Sequence, residues 1–225
     1  MIFNNFKKVT LGYFVKHKHT IPKFLFQDIS TNIGCPATKS LNNRIYDVKP
    51  IVSATIEFGV DNLGKAYYKY LFDTKTFQDK QEVYDIFDDM LFVSVEKDKA
   101  TLQLASYVHL VTDCKDLEVT QLEPVNKNYK NCEFVVGSYY PYKWIRMLNA
   151  SYRQIDRSKK AVVTLDINKS FYRLLTNRKV NLKLIDYTEK IKDYEQYIFR
   201  LTRYYSNLKN VYDRITQKRP KYLLK

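Results

Sequence analysis

One pattern near the C-terminus constrains this chain more than any other. In LIDYTEKIKDYEQYIFRLTRYYSNLKNVYDRI, residues 184–215, apolar side chains fall at Leu184, Tyr187, Ile191, Tyr194, Ile198, Leu201, Tyr205, Leu208, Tyr212 and Ile215. Steps of three and four alternate without a break, the 3.5-residue repeat of a helix that keeps one seam toward a partner. Leu184, Ile191, Ile198, Tyr205 and Tyr212 take heptad position a; the other five take d. A helix lying on its own domain drifts toward a 3.6-residue period, so a sustained 3.5 points to pairing between helices. Four of the ten seam residues are tyrosine, whose ring buries a large area while its hydroxyl needs water or a partner. The pattern predicts a long helix from about residue 182, ending before Pro220, that makes a homodimer. The competing reading is an amphipathic helix packed on the chain's own core.

Charge is as unevenly placed as the heptads. Residues 1–140 hold 17 Lys or Arg against 17 Asp or Glu, whereas residues 141–225 hold 21 against 7. The whole +14 excess therefore falls in the last 85 residues. A neutral first part joined to a basic last part is the asymmetry expected of a chain that meets a polyanion.

The neutral part reads as strands. In IVSATIEFGV (51–60), Val52, Ala54, Ile56, Phe58 and Val60 share one face, a period of two, and DNLG (61–64) is a turn before KAYYKYLF (65–72). A second hairpin runs through LFVSV (91–95), EKDK and TLQLASYVHLV (101–111), with Leu102, Leu104, Val108 and Leu110 on one face and Gln103, Tyr107 and His109 on the other. Residues 117–125 and 132–140 read as further strands, 79–91 as a short acidic helix capped by Asp79, and 29–46 as a long loop. After residue 140 the texture predicts a helix over 141–155, a strand at 161–167 buried on both faces, and a helix capped by Asn168 through KSFYRLL. The expected fold is α+β: a β-rich body (1–140), a basic helix–strand–helix region (141–181), the dimerising helix (182–219) and a basic tail (220–225).

Within the basic region, Arg146, Arg153 and Arg157 stand at spacings of seven and four, close to one helical face, and Lys159 and Lys160 extend the stripe. Lys143 precedes it, and Lys169 and Arg173 lie one turn apart on the next expected helix. Guanidinium forks match phosphate oxygens, and clustered cations gain affinity by releasing condensed counterions. These eight residues form the candidate nucleic-acid surface; the alternative is a solvated helix face or an acidic protein partner. No zinc-finger, KH or RRM signature accompanies them, so base-specific readout has no support.

Catalytic chemistry finds little. Glu96, Asp113 and Lys115 could hold Mg²⁺ and polarise a phosphate if the hairpin brought them together. His17 and His19 with Cys35 make a poor metal set, because no Cys-x-x-Cys or second close pair exists. No glycine-rich phosphate loop is present, so no metal and no cofactor is expected. Cys35, Cys114 and Cys132 are odd in number and far apart, as free thiols of a reducing cytoplasm are. No secretory signal opens the chain, and no apolar run approaches the ~20 residues of a membrane span. The reading is a cytoplasmic, non-enzymatic nucleic-acid-binding homodimer. The few glycines and many Lys, Asn, Tyr and Ile fit an AT-rich phage or other mobile element, with the chain as its regulator or accessory factor, in the host cytoplasm or on the virion. Two alternatives stand beside it: a viral scaffold, capsid or assembly protein, and a metal-dependent nuclease.

Overall fold

Alternating apolar and polar residues become a strand when each edge finds a neighbour, and here the neighbours come from both ends of the chain. The computed structural model describes residues 8–15, 26–28, 41–50, 52–72, 85, 88, 90–145, 147–195 and 222–224. Among these residues fifteen strands form three sheets, and the one multi-turn helical stretch is 189–195.

The six-stranded sheet is organised on the 13-residue strand β7 (Lys99–Val111). One edge of β7 pairs with β12 (Met147–Gln154), which pairs in turn with β10 (Cys132–Phe134). The other edge is shared by β6 (Leu91–Glu96), beside residues 99–104, and β1 (Val9–Val15), beside residues 108–111. Strand β15 (Val180–Leu184) runs parallel to β1. The five-stranded sheet has the order β11 (Gly137–Tyr139), β8 (Val119–Leu122), β14 (Tyr172–Thr176), β3 (Ile45–Val48), β2 (Phe26–Asp28). The four-stranded sheet has the order β5 (Ala66–Phe72), β4 (Ala54–Val60), β13 (Ala161–Leu165), β9 (Tyr129–Lys130). All three contribute to one hydrophobic cluster: Leu102, Leu104 and Tyr152 from the first, Val48, Tyr172 and Leu174 from the second, Ile56, Phe58 and Val163 from the third.

The expected hairpins at 51–73 and 91–111 are present, the first closed by Asp61, whose carboxylate accepts the N–H groups of Leu63 and Lys65, with Gly64 at φ 77°. Asp85, Asp88 and Met90 of the expected acidic helix are helical; Asp79 lies outside the described residues.

The α+β expectation is overturned after residue 140. The helix expected over 141–155 is instead a turn and β12, and the helix expected after Asn168 is β14. Leu148 and Tyr152 are four apart, a spacing that suits a helical stripe and a strand equally. What decides is that Leu148, Ala150, Tyr152 and Gln154 are all buried, at period two, between two bonded neighbours. Gln154 at the strand's end accepts the N–H of Ala100 and donates to the carbonyl of Lys159, so the amide is satisfied inside the sheet. The basic stretch places a central strand in each sheet, so the boundary drawn on charge at residue 140 is not one at which the sheets divide.

Both turns flanking β13 have one design. Asp156 accepts the N–H and hydroxyl of Ser158, and Asp166 accepts the N–H of Asn168; Lys159 and Lys169 pair with these carboxylates at 3.1 and 3.3 Å. The Ser158 and Asn168 bonds hold both carboxyls below the usual aspartate range. Asn168 closes a turn rather than capping a helix.

The long helix expected from residue 182 is corrected at its start: residues 180–184 are strand, and helix begins at 189. The helix lies on the outer face of the largest sheet. Ile191 and Tyr194 join Phe14, Val111, Ile145 and Leu223 in a second hydrophobic cluster. At its centre the His109 imidazole meets Glu195 at 3.0 Å, both side chains less than a tenth exposed. The Tyr187 hydroxyl donates to the other Glu195 oxygen at 2.6 Å, and the Phe14 ring stacks with both His109 and Tyr187. Burial raises the Tyr187 phenol further above its already high ordinary value, so it stays a proton donor. Beside this cluster the Asp113 carboxylate accepts the N–H groups of Leu223 and Leu224 at 2.8 and 3.0 Å.

Candidate nucleic-acid interface

The four-stranded sheet turns Ala54, Ile56, Phe58, Ala161, Val163 and Leu165 inward, all buried. Alternation then commits their neighbours to the opposite, outer face. Register sets out that face in rows. One row reads Lys130, Val162, Glu57, Lys69. Thr164, Thr55 and Leu71 lie in the next, all exposed. On the other side Tyr67 stands opposite Gly59, and Lys160 precedes the β13 residue that pairs with Phe58.

Lys69 and Lys130 are exposed at opposite ends of their row, about 14 Å apart across three strand spacings. Neither makes an ion pair among the described residues. Lys160 pairs with Glu57 at 3.0 Å, and that bond raises its ammonium pKa. The turn at 156–159 leads into β13 from β12; in it Arg157 pairs with Asp98 of the β6–β7 turn and Lys159 with Asp156. Of these five cations, Lys160 meets Glu57, Lys159 meets Asp156 and Arg157 meets Asp98 at 3.7 Å, whereas Lys69 and Lys130 have no ion pair among the described residues. Five cations against three carboxylates leave the local balance positive.

The eight cations expected to share a helical stripe do not share one. Arg153 sits on the outer face of β12 and is bound to Glu133 through both Nε and Nη2. Arg173 donates to the carbonyl of Glu123 from β14. Lys169 belongs to its turn, Lys143 lies over the Tyr140 ring at 4.9 Å, and Arg146 is outside the described residues. Arg157, Lys159 and Lys160 share one turn, and Lys160 is tied through Glu57 to the row that holds Lys69 and Lys130, which the sequence did not single out. The available signal was strand alternation: once 54–60 and 66–72 are a hairpin, Lys69 must lie on its outer face.

Of the seam residues, Leu184 ends β15 and is 69% exposed. Tyr187, Ile191 and Tyr194 pack within this chain, the Tyr194 hydroxyl reaching the carbonyl of Lys143. Ile198, Leu201, Tyr205, Leu208, Tyr212 and Ile215 lie outside the described residues.

The nuclease set is not assembled. Glu96 ends β6 opposite Lys99, whereas Asp113 follows the far end of β7, roughly 40 Å of strand away. Asp113 is occupied by the C-terminal amides, and Lys115 is exposed in the turn beyond it. No group of three His, Cys, Asp or Glu that could hold a metal occurs among the described residues. His17, His19 and Cys35 lie outside them. The described cysteines are free: burial pushes the Cys132 thiol up to about 12 and also raises Cys114, so neither is an activated nucleophile. No helix among the described residues is long and apolar enough to cross a membrane.

No family model, curated protein or solved structure matches this chain.

Proposed function

We propose that this is a non-enzymatic nucleic-acid-binding protein that lays a phosphate backbone across the outer face of the four-stranded sheet and the adjoining 156–160 turn. The observation that supports it is the pair Lys69 and Lys130, without ion-pair partners among the described residues, in one outer row of the sheet, with Lys160 beside that row and Arg157 and Lys159 in the turn that precedes it. Tyr187, Ile191 and Tyr194 pack within the chain, so the expected homodimer would rest on the seam from Ile198 to Ile215, which lies outside the described residues.

If about four of these cations meet phosphates, the slope of log affinity on log salt is near −3 for a single strand and near −4 for a duplex. Exchanging both Lys69→Glu and Lys130→Glu removes two contacts and adds two repulsions. Affinity for a labelled oligonucleotide at 50 mM salt is expected to fall about a hundredfold or more, and the slope to flatten by ~1.5–2. An unchanged slope, with the variant still folded, would exclude this face. Glu57→Gln works in the opposite direction. It releases Lys160 from its pair, and affinity is expected to rise about three- to tenfold at low salt, with the gain fading at high salt.

A second reading, an assembly protein working through protein contacts, draws on the exposed apolar side chains of Leu71 on β5, at 77%, and of Phe92 and Val95 on the two faces of β6, at 53% and 40%. An assembly protein shows little oligonucleotide affinity at moderate salt, which separates the two.

A further inference from the structure

Tyr67 is half-buried on the outer face of β5, opposite Gly59 of β4. A Cβ on Gly59 would come within 3.0 Å of the Tyr67 hydroxyl, 3.1 Å of its Cε1 and 3.2 Å of its Cζ. The far end of a ring reaches that position only by leaning across the neighbouring strand. The ring therefore lies along the sheet, over the one residue of β4 that leaves it room. A tyrosine standing upright would present an edge to solvent; a recumbent one presents a π-face. Lys160 sits beside it, held by Glu57, with the Tyr67 hydroxyl among the groups near its ammonium. Lys69 is two residues along the same strand and face.

We infer that Tyr67 is a base-stacking platform and that the preferred ligand of this face is single-stranded nucleic acid. The inference rests on the function proposed above and narrows it. An unpaired base offers its own π-face to an aromatic side chain, while its phosphates run over neighbouring lysines. A duplex keeps its bases stacked within the helix and meets the face through phosphates alone. Only the single strand uses both the ring and the cations.

The test compares a 20-nucleotide oligo(dT) with a 20-base-pair duplex at one salt concentration, using wild type, Tyr67→Leu, Tyr67→Phe and the Lys69→Glu, Lys130→Glu double variant. Tyr67→Leu keeps bulk over Gly59 but has no π-system. It is expected to lose about tenfold in affinity for oligo(dT) and less than twofold for the duplex. Tyr67→Phe keeps the ring and is expected to bind oligo(dT) within twofold of wild type. Thermal unfolding of each variant verifies the fold. Equal loss on both ligands, or no loss on oligo(dT), overturns the platform while leaving the phosphate-binding face intact. Failure of the wild type to bind either ligand overturns the function itself, and the lysine variant then changes nothing.

Discussion

Replacing His109 with alanine is expected to destabilise the protein by about 3–5 kcal/mol, because it strips the imidazole from a carboxylate that stays buried. Glu195 is 6% exposed, and apart from the Tyr187 hydroxyl its surroundings include the apolar cluster of Phe14, Ile191 and Tyr194. Taking one partner from a buried pair costs far more than the pair itself contributes, since the desolvation of the remaining charge is no longer offset. Typical domains have 5–15 kcal/mol in all, so the loss is a large part of the total. Urea unfolding followed by circular dichroism reads it directly. A companion variant, His109→Leu with Glu195→Leu, removes both polar groups and is expected to recover most of the loss. If His109→Ala alone shifts stability by under 1 kcal/mol, the pair does not hold the helix to the sheet as described.

The second large effect is at the C-terminal strap. Leu223 is 3% exposed within the same cluster, and truncating it to alanine is expected to cost about 2–5 kcal/mol. Asp113→Ala removes the acceptor of two consecutive amides, each bond to a charged group carrying about 1.5–3 kcal/mol. Because Leu223 is held by both effects, the two substitutions are expected to be less than additive. Amide exchange of Leu223 and Leu224 supplies the local readout: it accelerates in Asp113→Ala before global unfolding does. Equal protection in wild type and variant would show that the carboxylate does not tether the segment.

How much of this was legible beforehand depends on whether neighbours in sequence became neighbours in space. The hairpins at 54–72 and 91–111 were readable because DNLG and EKDK interrupt clear alternation, and each strand pairs with the next one in the chain. Strands β12 and β14 were not, because their partners are distant in sequence. Leu148 with Tyr152 satisfied two periodicities at once, and the competing arginine spacing favoured the wrong one. The strand at 161–167 was readable; the signal missed was that D-x-N-K at 166–169 repeats the D-x-S-K turn at 156–159, which makes Asn168 a turn residue and not a helix cap. The candidate site was legible in part. Arg157, Lys159 and Lys160 stand close in sequence and stayed close in space, whereas Lys69 and Lys130 reach them only through the order β5–β4–β13–β9.

The amino-acid sequence alone determined the side-chain inventory, the charge asymmetry, the local turns and the two sequential hairpins, since each depends on spacing within about twenty residues. Tertiary structure decided the rest. It made strands of residues read as helix by supplying a hydrogen-bonded neighbour on each side, energy that no local propensity contains. It turned Tyr187, Ile191 and Tyr194 inward because the outer face of β1 and β7 offered Phe14, His109 and Val111 as a surface to pack on.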